Sequence, residues 1–147
     1  MKGLGSIILA MAIGIAVSFS VGLAAQDAPR KLVAPMRGEA QIEFTQPDTK
    51  IVGNDVVTTF RVKNVSSAPI AGFKVQENWF TKNNESLSGD EYRHLRPLQV
   101  NEIITIKLVV PRSRVVGARN QYQFSHANGT IPKPKLVKTL EPPKPTK

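Results

Sequence analysis

The chain has 147 residues, with 20 Lys and Arg against 11 Asp and Glu, a formal net charge of +9 and no cysteine. A hydrophobic content of 41% is enough for one small folded domain and argues against a disordered chain. The lack of cysteine excludes disulfide scaffolds, thiolate metal sites and a cysteine nucleophile.

The N-terminal segment is typical of a secretory signal peptide. Lys2 precedes an apolar run, residues 4–25, that contains no charged side chain. Small residues at Gly22, Ala24 and Ala25 favour cleavage after Ala24 or Ala25. The alternative is an uncleaved anchor, because about 20 apolar residues are long enough to cross a bilayer as a helix. Both alternatives predict that the rest of the chain is exported, to the periplasm, the cell surface or the medium.

Composition divides the remaining chain into three parts. Residues 26–37 hold two prolines without periodicity and are predicted to be a linker after a signal peptide at residues 1–25. Residues 132–147 hold five prolines and five lysines, which is typical of an extended tail. An edge strand at residues 135–140 is compatible with the neighbouring prolines. The folded domain is therefore predicted to span residues 38–131.

Alternation of apolar and polar residues predicts β-strands between turn residues. No helical apolar spacing occurs outside the signal segment, so we expect an all-β domain. The predicted architecture is an immunoglobulin-like antiparallel β-sandwich of six to seven strands. Predicted strands are residues 41–45, 56–63, about 72–81, 92–95 (weak), 102–110 and 120–126.

One strand breaks the alternation. In the strand predicted at about residues 72–81, Val75 and Trp79 share a parity that also places Glu77 in the core. We expect either a β-bulge near Glu77 and Asn78 or a buried carboxylate with a specific partner.

The segment 56–110 carries a further pattern. A strand ends in Asn64, a hydrophobic strand leads into Trp79 and Phe80, and a polar turn precedes an Ile-rich strand. This resembles the FxLYD-type domains, immunoglobulin-like modules of exported bacterial and archaeal proteins. The resemblance covers roughly residues 40–125 and implies a binding or structural role without established enzymatic activity. Where the family tends to have Leu-Tyr-Asp, this chain has Trp-Phe-Thr.

Catalytic and metal-ligating patterns are not evident in the sequence. His94 and His126 are the two imidazoles, and their wide spacing supplies no convergent partners. Glu77 with Asp90 and Glu91 could form a carboxylate pair of the kind glycosidases use. A turn and one misfitting strand residue explain them more simply. We therefore expect no catalytic residues, no metal site and no cofactor, and an enzyme of cell-wall polymer is the less favoured class.

A basic loop is the candidate binding surface. Arg112, Arg114 and Arg119 follow the predicted strand at residues 102–110, and arginines on a rigid scaffold suit the capture of carboxylate or phosphate. An ordinary solvated loop is the alternative. The expected partner is a protein or an anionic component of the envelope rather than a nucleic acid. Membrane contact is expected only if the N-terminal segment stays uncleaved.

Three Asn-x-Ser/Thr triplets begin at Asn64, Asn84 and Asn128, and all three are predicted to lie in turns, where asparagine is favoured on conformational grounds.

Together these features predict a non-enzymatic exported binding or scaffolding module at the bacterial cell envelope, using edge strands and the basic loop for contact. The alternative is a membrane-anchored accessory subunit of a larger envelope complex, held by an uncleaved N-terminal helix.

Overall fold

The computed structural model describes residues 32–142. This range contains ten β-strands and one turn of 3-10 helix, Arg112–Arg114, and the predicted all-β class is confirmed. The strands are β1 Gly38–Glu39, β2 Ile42–Thr45, β3 Asp48–Val52, β4 Asp55–Asn64, β5 Lys74–Phe80, β6 Ser86–Arg93, β7 Ile103–Pro111, β8 Arg119–His126, β9 Gly129–Thr130 and β10 Lys135–Val137. No helix within residues 32–142 has the length and apolar character that crossing a bilayer requires.

The strands form two sheets. The first sheet has the order β1-β9-β8-β5-β6. The second is built around β4, which pairs with β7 along one edge and with β2 and β3 along the other. β10 extends this sheet by pairing parallel to β2, and β1 pairs parallel to β9, whereas the other pairs are antiparallel. The number of strands exceeds the predicted six to seven because β1, β3 and β9 were not predicted, whereas β10 lies within the edge strand considered at residues 135–140.

The apolar faces of the two sheets meet in a common core. On β4, burial alternates from Val56 to Val62 and places Phe60 inside. Phe60 lies 6.3 Å, centroid to centroid, from Phe124 on β8 of the other sheet, and Phe124 lies 5.0 Å from Phe44 on β2. Burying each such side chain contributes about 1.5–3 kcal/mol. The core is therefore held by direct contacts between the sheets.

Strands with strong alternation lie where the sequence predicts them. The predicted strands at residues 41–45, 56–63, 102–110 and 120–126 correspond to β2, β4, β7 and β8, each within about one residue. The strand at about residues 72–81 corresponds to β5.

The strand predicted at residues 92–95 is wrong in its bounds. β6 runs over Ser86–Arg93 and so begins six residues earlier than predicted, while Leu95 is 99% exposed beyond its end. A Cβ on Gly89 would lie 2.1 Å from the carbonyl oxygen of Glu77, so glycine is needed there for the close approach of β5.

The strand predicted to end in Asn64 is confirmed, and the predicted turn begins directly after it. Asn64 ends β4 and is buried, and its side-chain amide donates to the carbonyl oxygens of Ala68 at 3.0 Å and Leu98 at 2.9 Å. Its side-chain oxygen accepts the N–H of Ser66. Asn64 thus fixes the loop after β4 from inside the domain.

The ends of the described range contact the folded part. The N–H of Met36 donates to the carbonyl of Pro69 at 2.7 Å, and its side chain packs on the core. Near the other end, Leu140 is buried and the Lys63 ammonium donates to the carbonyl of Glu141 at 3.2 Å. The signal peptide predicted at residues 1–25 lies outside the described residues.

Candidate functional site

The strand β3 offers an open sheet edge. β7 occupies one edge of β4 over residues 55–63, so β2 and β3 share the opposite edge. β10 covers the far side of β2 but pairs only with residues 43–45. Within residues 32–142, β3 therefore has no strand on its outer side.

Every residue of β3 is exposed. Thr49 and Ile51 stand opposite the buried Thr58 and Val56 and so share the inward face of β4, yet Ile51 is 59% exposed. Val52, on the other face, is exposed to the same extent. The strand thus presents apolar side chains on both faces beside unpaired backbone groups.

The facing sheet leaves the same flank open. β9 pairs with β8 only at Ser125 and His126. The first part of β8, residues 119–124, has no strand beyond it among the described residues. This explains why Ile51 stays exposed although its neighbour on β4 is buried.

A buried carboxylate lies beside this flank. Glu77 is 1% exposed, and its Oε1 accepts hydrogen bonds from Thr58 Oγ1 at 3.0 Å, Asn120 Nδ2 at 3.1 Å and Tyr122 OH at 3.2 Å. The expectation of a carboxylate with specific partners is confirmed. The pairing of β5 with β6 shifts register between Trp79 and Phe80, beyond the position predicted for a bulge, and the unpaired residue, Leu87, belongs to β6.

The hydrogen bonds continue to β3. The Thr58 hydroxyl has one proton and gives it to Glu77, so Thr49 Oγ1 donates to Thr58 Oγ1 across 3.1 Å. Burial and the negative charge of Glu77 raise the pKa of Tyr122 to about 12, which keeps its hydroxyl a donor. Glu77 Oε2 has no hydrogen-bond partner within residues 32–142. The cluster joins β3, β4, β5 and β8 and separates the main core from a smaller apolar group at Trp79.

The two other carboxylates do not join Glu77. Asp90 stands opposite Glu77 on β6, but its Oδ2 accepts the backbone N–H of Val109 on β7 at 2.8 Å. Glu91 pairs with Arg93 and, at 3.4 Å, with Lys74. Asp90 and Glu91 therefore lie in strand β6 rather than in a turn. The Asp90 carboxylate accepts a hydrogen bond from a backbone N–H at the edge of β7.

The three predicted arginines occupy one end of the domain but different settings. Arg112 and Arg114 are exposed in the 3-10 turn after β7, and within residues 32–142 neither forms an ion pair. Arg119 is the first residue of β8 rather than part of the loop. Its guanidinium donates to Asn84 Oδ1 and lies 5.8 Å from the centre of the Phe80 ring.

The two histidines lie apart. His94 Nδ1 is 3.0 Å from Tyr92 OH, and burial together with the charge of Arg96 lowers the pKa of His94. His126 Nε2 contacts the carbonyl of Gly38 at 2.9 Å. In the described range, no group of three or more metal-ligating side chains converges.

Sequence reasoning missed β3 and the identity of the groups that donate to Glu77. β3 shows no alternation of apolar and polar residues in the sequence, because none of its residues is buried. The inward parity of Glu77 was a signal for the cluster, but its partners lie 19, 43 and 45 positions away along the chain.

Comparison with known proteins gives no family. No family model matches the chain, and no curated protein matches it. Among solved structures, IrmA from Escherichia coli is similar with a TM-score of 0.38 and 12% identity over 63% of this chain and 83% of IrmA. A β-glucosidase from Kluyveromyces marxianus is similar with a TM-score of 0.40 and 14% identity over 67% of this chain. The match spans 15% of the β-glucosidase chain. Likeness at this level assigns no relative and no activity.

Proposed function

We propose that the chain is a non-enzymatic binding module, exported to the bacterial cell envelope, that contacts a protein partner by strand addition at β3. The observation that carries this proposal is the unpaired edge of Asp48–Val52, where all five residues are exposed. In strand addition, a partner segment pairs with the edge through main-chain hydrogen bonds, and pockets for alternate side chains give specificity.

Two other edges of the same sheet, at β7 and β10, are blocked in ways that β3 is not. On β7, the carboxylate of Asp90 takes a backbone N–H. β10 is three residues long and follows Pro132 and Pro134, which have no N–H to donate. The two charged side chains of β3, Asp48 and Lys50, form an ion pair with each other, with 2.6 Å between Lys50 Nζ and Asp48 Oδ2. Exposed Ile51 and Val52 are the apolar contacts that strand addition would bury.

The same proposal includes an immunoglobulin-like fold and an exported location. An immunoglobulin-like sandwich is supported by two sheets that share a core and by the antiparallel pairing around β4 and β5. Membership of the FxLYD-type domains stays a prediction. Export is supported by the uncharged apolar run at residues 4–25 after Lys2.

The contact at β3 is tested by photo-crosslinking in the living source cells. A full-length chain carries p-benzoylphenylalanine in place of Ile51, and a matched control carries it in place of Leu95, which is exposed away from β3. We expect one dominant protein adduct from position 51 that is absent from position 95. A second variant, Val52→Lys, should reduce that adduct because it places a charge in the buried contact. No adduct at position 51 beyond the control contradicts strand addition.

The membrane-anchored accessory subunit is the second candidate. It is favoured by the length of the same apolar run, which suffices for a helix across the bilayer. The two candidates share the contact at β3 and differ in whether the N-terminal segment is cleaved.

A further inference from the structure

The free edge of β3 has a defined set of open backbone groups. The N–H of Val109 on β7 donates to a carboxylate on β6 and not to Val57, its opposite residue on β4. Each residue of an antiparallel ladder directs its backbone groups to one side, and the side alternates along the strand. Val57 therefore directs its N–H and C=O toward Lys50, its opposite residue on β3. The same alternation leaves the backbone groups of Thr49 and Ile51 directed away from β4, toward the open edge.

The side chains beside this edge carry one charge of each sign. Asp48 and Lys50 flank Thr49 and share the outer face of the sheet, because Thr49 stands opposite the buried Thr58 and faces inward. The ion pair between Asp48 and Lys50 leaves each side chain more than half exposed, so each can meet a second charge of opposite sign. The charges of β3 are therefore complementary to those of an identical strand that runs in the opposite direction.

On the basis of the proposed strand addition at β3, we infer that the added strand is the β3 of a second copy of this chain. The two strands run antiparallel about a twofold axis at Thr49, so that the two Thr49 residues exchange both backbone hydrogen bonds. In this register Asp48 of each copy stands directly opposite Lys50 of the other. Opposite charges in such positions stabilise a sheet, and the same pairing covers Ile51, which is 59% exposed.

Other registers that join the open backbone groups of two β3 strands lack this match. A shift by two residues in one direction sets Lys50 opposite Lys50, and a shift by two in the other sets Asp48 opposite Asp48. Like charges directly opposite each other destabilise a sheet. A shift by four residues sets Ile51 opposite Ile51 and leaves Asp48 beyond the end of the second β3. Two copies of this chain thus fit together with matched charges in one register.

Analytical ultracentrifugation of the chain, purified in the form that the cell produces, tests this pairing with two single charge variants. Asp48→Lys sets two lysines opposite each other twice in the dimer, and Lys50→Asp does the same with two aspartates. Each variant alone should dimerise about tenfold more weakly than the parent, because two attractive pairs become two repulsive ones. An equimolar mixture of the two variants should dimerise about as strongly as the parent, since every lysine at these positions then faces an aspartate.

Two control variants make the same charge changes away from β3. Glu85→Lys and Lys82→Glu lie in the exposed turn after β5. Alone or mixed, they should dimerise much as the parent does. Unchanged thermal unfolding midpoints show that all four variants fold.

Three results each overturn the inference: a parent chain that is monomeric at every concentration, single variants that dimerise as the parent does, or a mixture that dimerises no more strongly than the single variants. The crosslinker at position 51 separates this failure from that of the proposed function. An adduct with a different protein would leave strand addition at β3 standing and exclude a second copy as the partner. No adduct at position 51 beyond the control would contradict both.

Discussion

Glu77 and Thr58 face each other across the two sheets and are joined by a hydrogen bond of 3.0 Å from the Thr58 hydroxyl to the Glu77 carboxylate. Both side chains are buried, on strands whose other inward residues are mostly apolar. Burial removes the hydrogen bonds that a carboxylate makes to water, and this costs free energy unless donors in the protein replace them. The bond therefore helps to fix how the sheets lie on one another.

Replacing Thr58 with valine should destabilise the domain. The change keeps the shape of the side chain but removes a donor to a buried carboxylate and the acceptor for Thr49. We expect a loss of about 1–3 kcal/mol in the free energy of unfolding, measured by urea denaturation. Thr59→Val, on the exposed face of the same strand, is the control and should change stability by less than about 0.5 kcal/mol. Equal effects at the two positions would show that the bond to Glu77 contributes nothing.

Part of this arrangement could be predicted from the sequence and part could not. Regular alternation on β4 predicted the inward positions of Phe60 and Val62, and the parity of β5 predicted that Glu77 would be buried. Its donors could not be predicted because they depend on the register between distant strands. β3 could not be predicted either, since exposed side chains carry no constraint from a core.

Asn64→Ala should be among the most damaging polar substitutions in the domain. It leaves the carbonyl oxygens of Ala68 and Leu98 and the N–H of Ser66 without their side-chain partner. We expect a loss of at least about 2 kcal/mol in unfolding free energy. Asn83→Ala, in the exposed turn after β5, is the matched control and should be nearly neutral. A mild effect at Asn64 would mean that water replaces these bonds readily.

Acid should destabilise the domain partly through His94. Burial and the Arg96 charge lower the pKa of His94 below its ordinary value of 6.5, so the unfolded chain binds a proton more readily than the folded one. The contribution of His94 is fully present above pH 6.5 and is lost as pH falls from there through the folded pKa. His94→Asn should flatten the dependence of the unfolding midpoint on pH in that window. An unchanged slope would contradict this assignment.

Glu102 should contribute separately to the pH dependence of stability, at lower pH than His94. The hydrogen bond from Arg96 lowers the pKa of Glu102 below its ordinary value of 4.5, so its contribution is lost as pH falls below that value. Glu102→Gln should therefore alter the dependence of the unfolding midpoint on pH below pH 4.5. Because the charge of Glu102 raises the pKa of His94, the same variant should lower the pKa of His94 further.

Anion binding by Arg112 and Arg114, in the 3-10 turn after β7, can be tested separately from folding. Arg112→Ser/Arg114→Ser removes two exposed charges and leaves Arg119, which contacts Asn84 and Phe80, in place. We expect weaker binding to a phosphate-bearing resin and a shallower dependence of that binding on salt, with an unchanged unfolding midpoint. Lys82→Ser/Lys107→Ser removes the same charge elsewhere and is the control. An equal loss of binding in both double variants would indicate that binding depends on net charge rather than on a site at the 3-10 turn.

Export outside the cytoplasm is the central claim of the proposed function, and the intact mass of the native protein in each cell fraction tests it most directly. We predict a soluble envelope or medium species that lacks the first 24 or 25 residues, which the exported binding module requires. Full-length protein in the membrane would support the anchored subunit instead. Full-length protein in the cytosol alone would contradict export in either form.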